Sequence, residues 1–280
     1  MKIIISILSL LLLFIGCTTP EKKSSSPIIT VAVSLPPYTY FVNKIALDTV
    51  AVVPIVPAQS NPHLFEPTPK QVQAIQEAQL WIRSHESFED KILTVLKEQN
   101  PNLSIIDLSA NLPKEITDRH IWLSPRLAQE QATQIAHALT QLSPHHAAFY
   151  QKNLNQFIEE LKILDSEITI QLAPFKNKAI LTSHPAFGLF CRDYGLIQLS
   201  IECEGKDPLP RDLEHTLAQA KIHQIAHILL QPQYNNRGAE MIADHLSLPI
   251  STIDPYAHNY IENLRHITQM IVNDTQSQRP

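Results

Sequence analysis

The chain has 280 residues, of which 44% are hydrophobic and 18% charged, and its formal net charge at pH 7 is −5. This length accommodates two α/β lobes or one large domain. The mildly acidic balance argues against nucleic-acid binding, which needs a basic patch or stripe. Glycine occurs only five times. Because phosphate-binding loops depend on glycine, and no G-x-G-x-x-G or G-K-[ST] motif occurs, the sequence also argues against nucleotide chemistry.

The N-terminus has the pattern of a targeting segment. A positively charged start precedes a continuous apolar run over residues 3–15, which is short for a membrane span of ~20 residues but suits a signal peptide. The run closes on a glycine and Cys17, as in a bacterial lipoprotein signal whose cysteine becomes lipidated. We predict a signal segment at 1–17, a polar tether at 18–27 and an extracytoplasmic globular part, periplasmic or at the cell surface. An uncleaved anchor is the alternative.

Two further cysteines, Cys191 and Cys203, follow in the globular part. An oxidising compartment would allow them to form a disulfide, but no spacing rule demands it. The sequence contains no C-x-x-C motif, and no histidine adjoins either residue, so we do not expect a cysteine metal site. Two buried thiols and one disulfide both stay open.

Strands and helices alternate from residue 28 onward. Strands are predicted at 28–34, 50–56, 80–84 and 104–109. Helices are predicted up to about Leu47, at 68–78, at 88–99 and at 126–142. Thr68 and Pro69 are suited to the N-cap and first position of the second of these helices. Strands and helices that alternate at this spacing predict βα units on a largely parallel sheet.

The alternation stops between residues 144 and 172, where apolar residues recur at spacings of three and four. We predict one long helix here, with a kinked pair of shorter helices as the alternative. Further strands are predicted at 178–183, 196–202, 226–231 and 250–253, with helices at 185–194, 210–221, 236–246 and 261–272. The predicted fold is α/β, with an N-terminal lobe (28–142), an interlobe backbone helix (143–173) and a C-terminal lobe (174–280).

Four side chains in or near strand-end loops are candidate metal ligands. His63 follows the second strand in a stiff loop, because three residues of that loop each precede a proline. His120 lies in the loop after the fourth strand, while His184 and Asp254 directly follow strands of the second lobe. Ligands of open α/β sheets bind at the carboxyl ends of strands. Three imidazoles and one carboxylate suit Zn²⁺, with Mn²⁺ or Fe²⁺ as alternatives.

The sequence leaves open the roles of two residues near the candidate ligands, Glu66 and His258. Glu66 could orient His63 through its second ring nitrogen, with capping of the following helix as the alternative. His258 could join the ligands, but we favour a position at the rim of the site.

The segments that carry the candidates resemble those of one known family. They are Asn61-Pro-His-Leu-Phe-Glu-Pro-Thr-Pro, Asp118-Arg-His-Ile-Trp-Leu-Ser-Pro, Thr182-Ser-His-Pro-Ala-Phe-Gly and Asp254-Pro-Tyr. In composition and order they are similar to the ligand segments of zinc/manganese solute-binding proteins of ABC uptake systems, which have a TroA-like helical-backbone fold. The resemblance covers nearly all of residues 28–273. It implies that His63, His120, His184 and Asp254 are metal ligands.

The chain departs from the family pattern in ways that bear on the metal. Arg119 precedes His120 where the family usually has proline, and Pro185 follows His184 where it usually has aspartate. The His-rich loop of many zinc receptors in the family is absent between residues 69 and 118. Manganese receptors often carry glutamate at the position of His184, and because nitrogen ligands favour zinc, we expect zinc ahead of manganese or iron.

The resemblance implies a non-enzymatic function. We expect a monomeric receptor, held at the membrane by lipid on Cys17, that captures a divalent metal and delivers it to the membrane permease of an ABC transporter. We also expect only a small movement of the lobes on binding, because the chain has a long interlobe helix and few glycines. A zinc hydrolase is one alternative, although H-E-x-x-H is absent and a fourth protein ligand would close the coordination shell. A surface adhesin with incidental metal binding is the other.

Overall fold

The structure, a computed structural model, describes residues 28–202 and 209–277 and contains eight strands and nine α-helices within them. The strands are β1 (Ile29–Val33), β2 (Val50–Pro54), β3 (Leu80–Arg83), β4 (Ser104–Asp107), β5 (Ala179–Thr182), β6 (Ile197–Ser200), β7 (Ile228–Leu230) and β8 (Ile250–Thr252). The helices are α1 (Pro37–Ala46), α2 (Pro69–Glu77), α3 (Ser87–Gln99), α4 (Pro125–Leu142), α5 (Ala147–Leu172), α6 (Gly188–Tyr194), α7 (Pro210–Ile222), α8 (Arg237–Leu246) and α9 (Tyr260–Ser277).

The predicted signal segment and tether, together with Cys17 and Cys203, lie outside the described residues. Cys191 is buried on α6, so the pairing of the two cysteines stays open. Among the described helices, none combines the length and apolarity that a membrane crossing requires.

The two lobes are built on sheets of identical topology. Each sheet has four parallel strands, in the order β2-β1-β3-β4 in the first lobe and β6-β5-β7-β8 in the second. In both sheets the winding direction changes between the two central strands, which opens a crevice at their carboxyl ends. The predicted fold class, two βα lobes with parallel sheets joined by a long helix, is confirmed.

Helix α5 joins the lobes and runs uninterrupted for 26 residues, or about 40 Å. The alternative of two kinked helices is therefore wrong. A short 3₁₀ turn precedes the helix and another follows it. Its buried stripe consists of Tyr150, Asn153, Leu154, Phe157, Leu161, Leu164, Ile168 and Leu172. This stripe packs against α1 and α4 of the first lobe and against α9 of the second.

A single buried apolar cluster extends through both lobes. It includes Trp81 of the first sheet, Leu161 of α5 and Leu264 of α9. A smaller cluster around Leu181 and Ile242 belongs to the second lobe alone. A cluster that both lobes share does not mark where one lobe ends and the other begins. The predicted domain boundaries at 142/143 and 173/174 therefore stay a prediction.

Helix α6 begins later than predicted, at Gly188 instead of Pro185. After β5 the chain makes a tight turn in which the Ala186 N–H donates to the His184 carbonyl oxygen over 2.8 Å. This turn keeps the first residues after His184 out of the helix. The helix ends as predicted at Gly195, whose φ of 74° is the left-handed conformation that glycine adopts most readily.

Two isoleucines on α5 test its role as the shared support. Ile168 is completely buried, whereas Ile170 is 73% exposed. We expect Ile168→Ala to lower the free energy of unfolding by about 2–5 kcal/mol, because it removes buried methyl groups and leaves a cavity. Ile170→Ala should change it by less than about 0.5 kcal/mol. Urea denaturation of the metal-free protein measures both, and equal effects would contradict the assignment of the buried stripe.

Candidate metal centre

Three of the four predicted ligands meet in the crevice between the lobes. His63 lies in a single turn after β2, His120 in the loop after β4, and His184 two residues after β5. The Nε2 atom of His184 lies 3.1 Å from that of His63 and 3.2 Å from that of His120. Within the described residues this is the one group of three or more ligand-type side chains with atoms within 4.8 Å of one another.

The turn that carries His63 is formed by its own sequence. The Asn61 side chain accepts a hydrogen bond of 2.9 Å from the His63 N–H, an arrangement that asparagine favours in turns. Pro62 holds the first position of the turn, and Thr68 caps α2 directly after the loop. His63 is therefore fixed in backbone direction before any ligand binds.

Each of the three imidazoles has a carboxylate at its other ring nitrogen. The Nδ1–H of His63 donates to Glu86 Oε2 over 3.1 Å. That of His120 donates to Asp118 Oδ1 over 2.8 Å, and that of His184 to Glu202 Oε1 over 3.0 Å. A neutral imidazole has only one N–H. With the proton on Nδ1, all three Nε2 atoms present lone pairs to the same point.

This arrangement fits a bound cation better than mutual hydrogen bonding. The short contacts between Nε2 atoms cannot be hydrogen bonds when neither nitrogen carries a proton. Zinc binds imidazole nitrogen at 2.0–2.1 Å, so tetrahedral ligands lie about 3.3 Å apart. The observed separations of 3.1 and 3.2 Å are close to that value. Carboxylate partners at Nδ1 are also the usual support of metal-binding histidines.

Burial keeps His184 in the neutral form that a metal requires. Only about 1% of the His184 surface is exposed, and this burial lowers the pKa of its imidazole, as do the neighbouring His120 and His63. Burial alone would raise the pKa of the Asp118 carboxyl, but hydrogen bonds from His120 and Leu189 hold that pKa below its usual value. The centre thus combines a neutral imidazole with an ionised carboxylate.

Asp118 also connects the two lobes. Its Oδ1 accepts from the backbone N–H and ring of His120, while its Oδ2 accepts from the Leu189 N–H of α6. A Cβ atom on Gly188 would come within 2.7 Å of this Oδ2. The glycine therefore permits the close approach of α6 to the carboxylate that orients His120.

Residues of its own lobe hold both the backbone and the ring of His184. Gln231, at the end of β7, accepts from the His184 N–H and donates to its carbonyl oxygen. Tyr234 stacks on the imidazole with ring centroids 3.9 Å apart and planes 8° apart. Its hydroxyl shares a hydrogen bond of 2.7 Å with that of Tyr256. The ring of His184 therefore has little rotational freedom.

Asp254, the fourth predicted ligand, is near β8 as expected but does not belong to the group of three. Its Oδ1 accepts hydrogen bonds of 2.8 Å from Gln233 Nε2 and from the Tyr256 N–H. The carboxylate is thus held by its own lobe.

The structure does not give Glu66 the predicted role beside His63. Glu66 is exposed and forms an ion pair with Lys91 on the surface. The fully buried Glu86 contacts the His63 ring instead. Glu66 follows His63 closely in sequence, but the turn directs the two side chains apart. His258 is exposed and lines a surface hollow beside α1, so it does not belong to the group of three.

A cavity of about 540 Å³ connects the histidines to solvent. It is lined by all three imidazoles and by residues of both lobes, including Leu64, Arg119 and Gln198. Arg119 is exposed and donates to Ser87 Oγ over 3.3 Å. A cation from outside can therefore reach the Nε2 atoms along this path.

Several residues around the centre were not identified from the sequence. Glu86 and Glu202, which orient two of the imidazoles, follow the ends of β3 and β6. Gln233 and Tyr234 follow β7 in the same way. Their position after strands at the same sheet edge was a usable signal, but it does not distinguish a carboxylate that orients a ligand from a solvated one.

Comparison with known proteins agrees with this geometry. The profile of the ZnuA family, described as "Zinc-uptake complex component A periplasmic", matches residues 31–274. A protein of Chlamydia trachomatis serovar D is 30% identical over 278 residues, which span 95% of this chain and 99% of the relative. The high-affinity zinc uptake system protein ZnuA of Bacillus subtilis strain 168 is 26% identical over 261 residues, which span 84% of this chain and 82% of the relative.

Solved structures show the same similarity in three dimensions. A crystal structure of ZnuA superposes with a TM-score of 0.83 at 34% identity, and the match covers 88% of this chain and 99% of that one. The family match spans both sheets, α5 and all three histidines of the centre. This chain therefore belongs to the ZnuA family of periplasmic zinc-uptake components.

Proposed function

We propose that this protein captures zinc outside the cytoplasm and delivers it to the membrane permease of an ABC transporter. The observation that carries the proposal is the convergence of three Nε2 lone pairs, with each imidazole backed by a buried or half-buried carboxylate. In this proposal zinc is the cargo, and His63, His120 and His184 are its ligands. Capture, not catalysis, is the function.

Asp254 completes the proposed ligand set. Its Oδ1 is engaged by Gln233 and Tyr256, whereas no hydrogen bond from the described residues reaches its Oδ2. Oδ2 is therefore the Asp254 oxygen that we propose as the ligand. Three imidazoles and one carboxylate oxygen then form the four-coordinate shell that zinc prefers.

Nitrogen ligands support zinc ahead of manganese and iron. Manganese is better suited to carboxylate and water oxygens in octahedral geometry, and this centre supplies three nitrogens. Binding requires neutral imidazoles, so acidification releases the ion as the histidines take up protons. We keep Mn²⁺ and Fe²⁺ as the metals to be compared with zinc.

Delivery to a permease agrees with the family's description as part of a zinc-uptake complex. We propose that lipid on Cys17 holds the protein at the membrane and that the tether of residues 18–27 gives it reach. A single chain supplies all the proposed ligands, which supports a monomer as the working form.

Calorimetric titration of the metal-free protein with Zn²⁺, Mn²⁺ and Fe²⁺ tests the proposal. We expect one site that binds Zn²⁺ most tightly. His63→Ala and His184→Ala should each weaken Zn²⁺ binding more than about 100-fold, since loss of even an outer partner costs 10–100-fold. His258→Ala is the matched control and should have no effect. Undiminished affinity in both site variants would favour the adhesin alternative, and metal-dependent hydrolysis of peptides or esters would favour the hydrolase.

The carboxylate behind His63 provides a second test. Glu86→Gln keeps the shape of the side chain but removes its charge, so we expect Zn²⁺ affinity to fall by about 10–100-fold. Glu66→Gln, which changes the exposed carboxylate on the same loop as His63, should leave affinity unchanged. Isothermal titration at one pH measures both. The reverse result would restore Glu66 as the partner of His63.

The shared apolar cluster and the continuous α5 support a small movement of the lobes on binding. We expect small-angle scattering profiles of metal-free and Zn²⁺-loaded protein to superimpose. Wide closure would instead require repacking of a core that both lobes share, which interiors at crystal-like density resist. A clear compaction on addition of Zn²⁺ would contradict this expectation.

A further inference from the structure

Gln233 joins the loop of one proposed ligand to the side chain of another. It lies three residues after β7 and is only 6% exposed. Its Nε2 donates to the Ala58 carbonyl oxygen over 2.9 Å and to Asp254 Oδ1 over 2.8 Å. Ala58 belongs to the loop of the first lobe that leads to His63, whereas Asp254 belongs to the second lobe.

The chemistry of these contacts fixes the direction of the amide. A backbone carbonyl and an ionised carboxylate only accept hydrogen bonds, so the nitrogen of Gln233 has to face both of them. Its Oε1 is buried and has no hydrogen-bond partner among the described residues. A buried acceptor without a partner is unfavourable. The arrangement therefore keeps the two hydrogen bonds that Nε2 donates and leaves Oε1 without a hydrogen bond from the described residues.

These contacts leave Asp254 only one oxygen for a metal. A carboxylate oxygen has about two acceptor positions, and Oδ1 already accepts from Gln233 Nε2 and from the Tyr256 N–H. Chelation of one ion by both oxygens would require Oδ1 to lose a hydrogen bond. Oδ2, which receives no hydrogen bond from the described part of the chain, is the oxygen that can coordinate.

We propose that Gln233 is a specificity-determining residue that restricts Asp254 to monodentate coordination and thereby favours zinc over manganese. The inference rests on the proposed function, in which Asp254 is the fourth ligand. One oxygen and three imidazoles give the tetrahedral shell of zinc. Manganese prefers more ligands, mainly oxygens, in octahedral geometry. When Oδ1 is released from Gln233, Asp254 can offer the metal a second oxygen ligand. The affinity for manganese then rises relative to the affinity for zinc.

The test compares the ratio of Zn²⁺ to Mn²⁺ affinities in three proteins. Gln233→Leu removes both donated hydrogen bonds while keeping an uncharged side chain of similar size. We expect the ratio to fall by at least about tenfold, in the range found when outer partners of metal ligands are removed. Competition titrations with a chromophoric chelator measure both affinities. Gln233→Met serves the same purpose if the leucine variant does not fold.

Asn263→Leu is the matched control. Asn263 Nδ2 donates to the main-chain oxygen of Asp254 over 2.6 Å, so its removal loosens the same loop without freeing Oδ1. We expect this variant to weaken both metals by the same factor and to leave the ratio unchanged. An equal fall of the ratio in both variants would reduce Gln233 to a structural support and overturn the inference.

Cobalt provides a readout of coordination number that is independent of affinity. Four-coordinate Co²⁺ absorbs visible light much more strongly than five- or six-coordinate Co²⁺. We expect intense bands from the Co²⁺-loaded wild type and the Asn263→Leu variant, and weaker bands from Gln233→Leu. Weak bands in the wild type would overturn the inference, as would unchanged Zn²⁺ affinity in Asp254→Ala. Neither result affects the three-histidine site, whereas the absence of any Zn²⁺ binding would refute the proposed function itself.

Discussion

Three imidazole lone pairs converge on one point between the lobes, and their convergence is unfavourable without a cation. Each Nδ1 proton is used by a carboxylate, so no Nε2 proton is available to connect the rings. Glu86, which orients His63, is completely buried. A divalent cation at the centre would accept all three lone pairs. The remaining structure holds these groups in place.

Two sheets of the same topology hold the groups of the centre in place. Because both sheets have the same strand order, equivalent strand ends face each other across the crevice. His63 after β2 corresponds to Glu202 after β6, and His120 after β4 corresponds to Asp254 after β8. The same positions thus carry an imidazole in one lobe and a carboxylate in the other. Helix α5 and the shared core keep the two sets at a fixed distance, which agrees with capture at a preorganised site.

Much of the fold was predictable because its signals are local. Short runs that alternate with helical patterns indicated all eight strands, and a stripe at helical spacing indicated α5. The start of α6 was not predictable, since the turn after His184 depends on a backbone hydrogen bond that no residue type specifies. The partner of His63 was also missed. Glu66 is close in sequence and Glu86 is not, yet the fold brings only Glu86 to the ring.

The sequence by itself determined the α/β fold class, the strand ends that carry the candidate ligands and the stiff turn around His63. These follow from local preferences and from residue order along the chain, whereas the class of protein was indicated by the resemblance of the ligand segments to a known family. Only the tertiary structure decided which atoms meet. It paired each imidazole with its carboxylate and connected Asp254 to Gln233. The physical reason is that such contacts join residues far apart in the chain, and their distances depend on how two sheets and one helix pack.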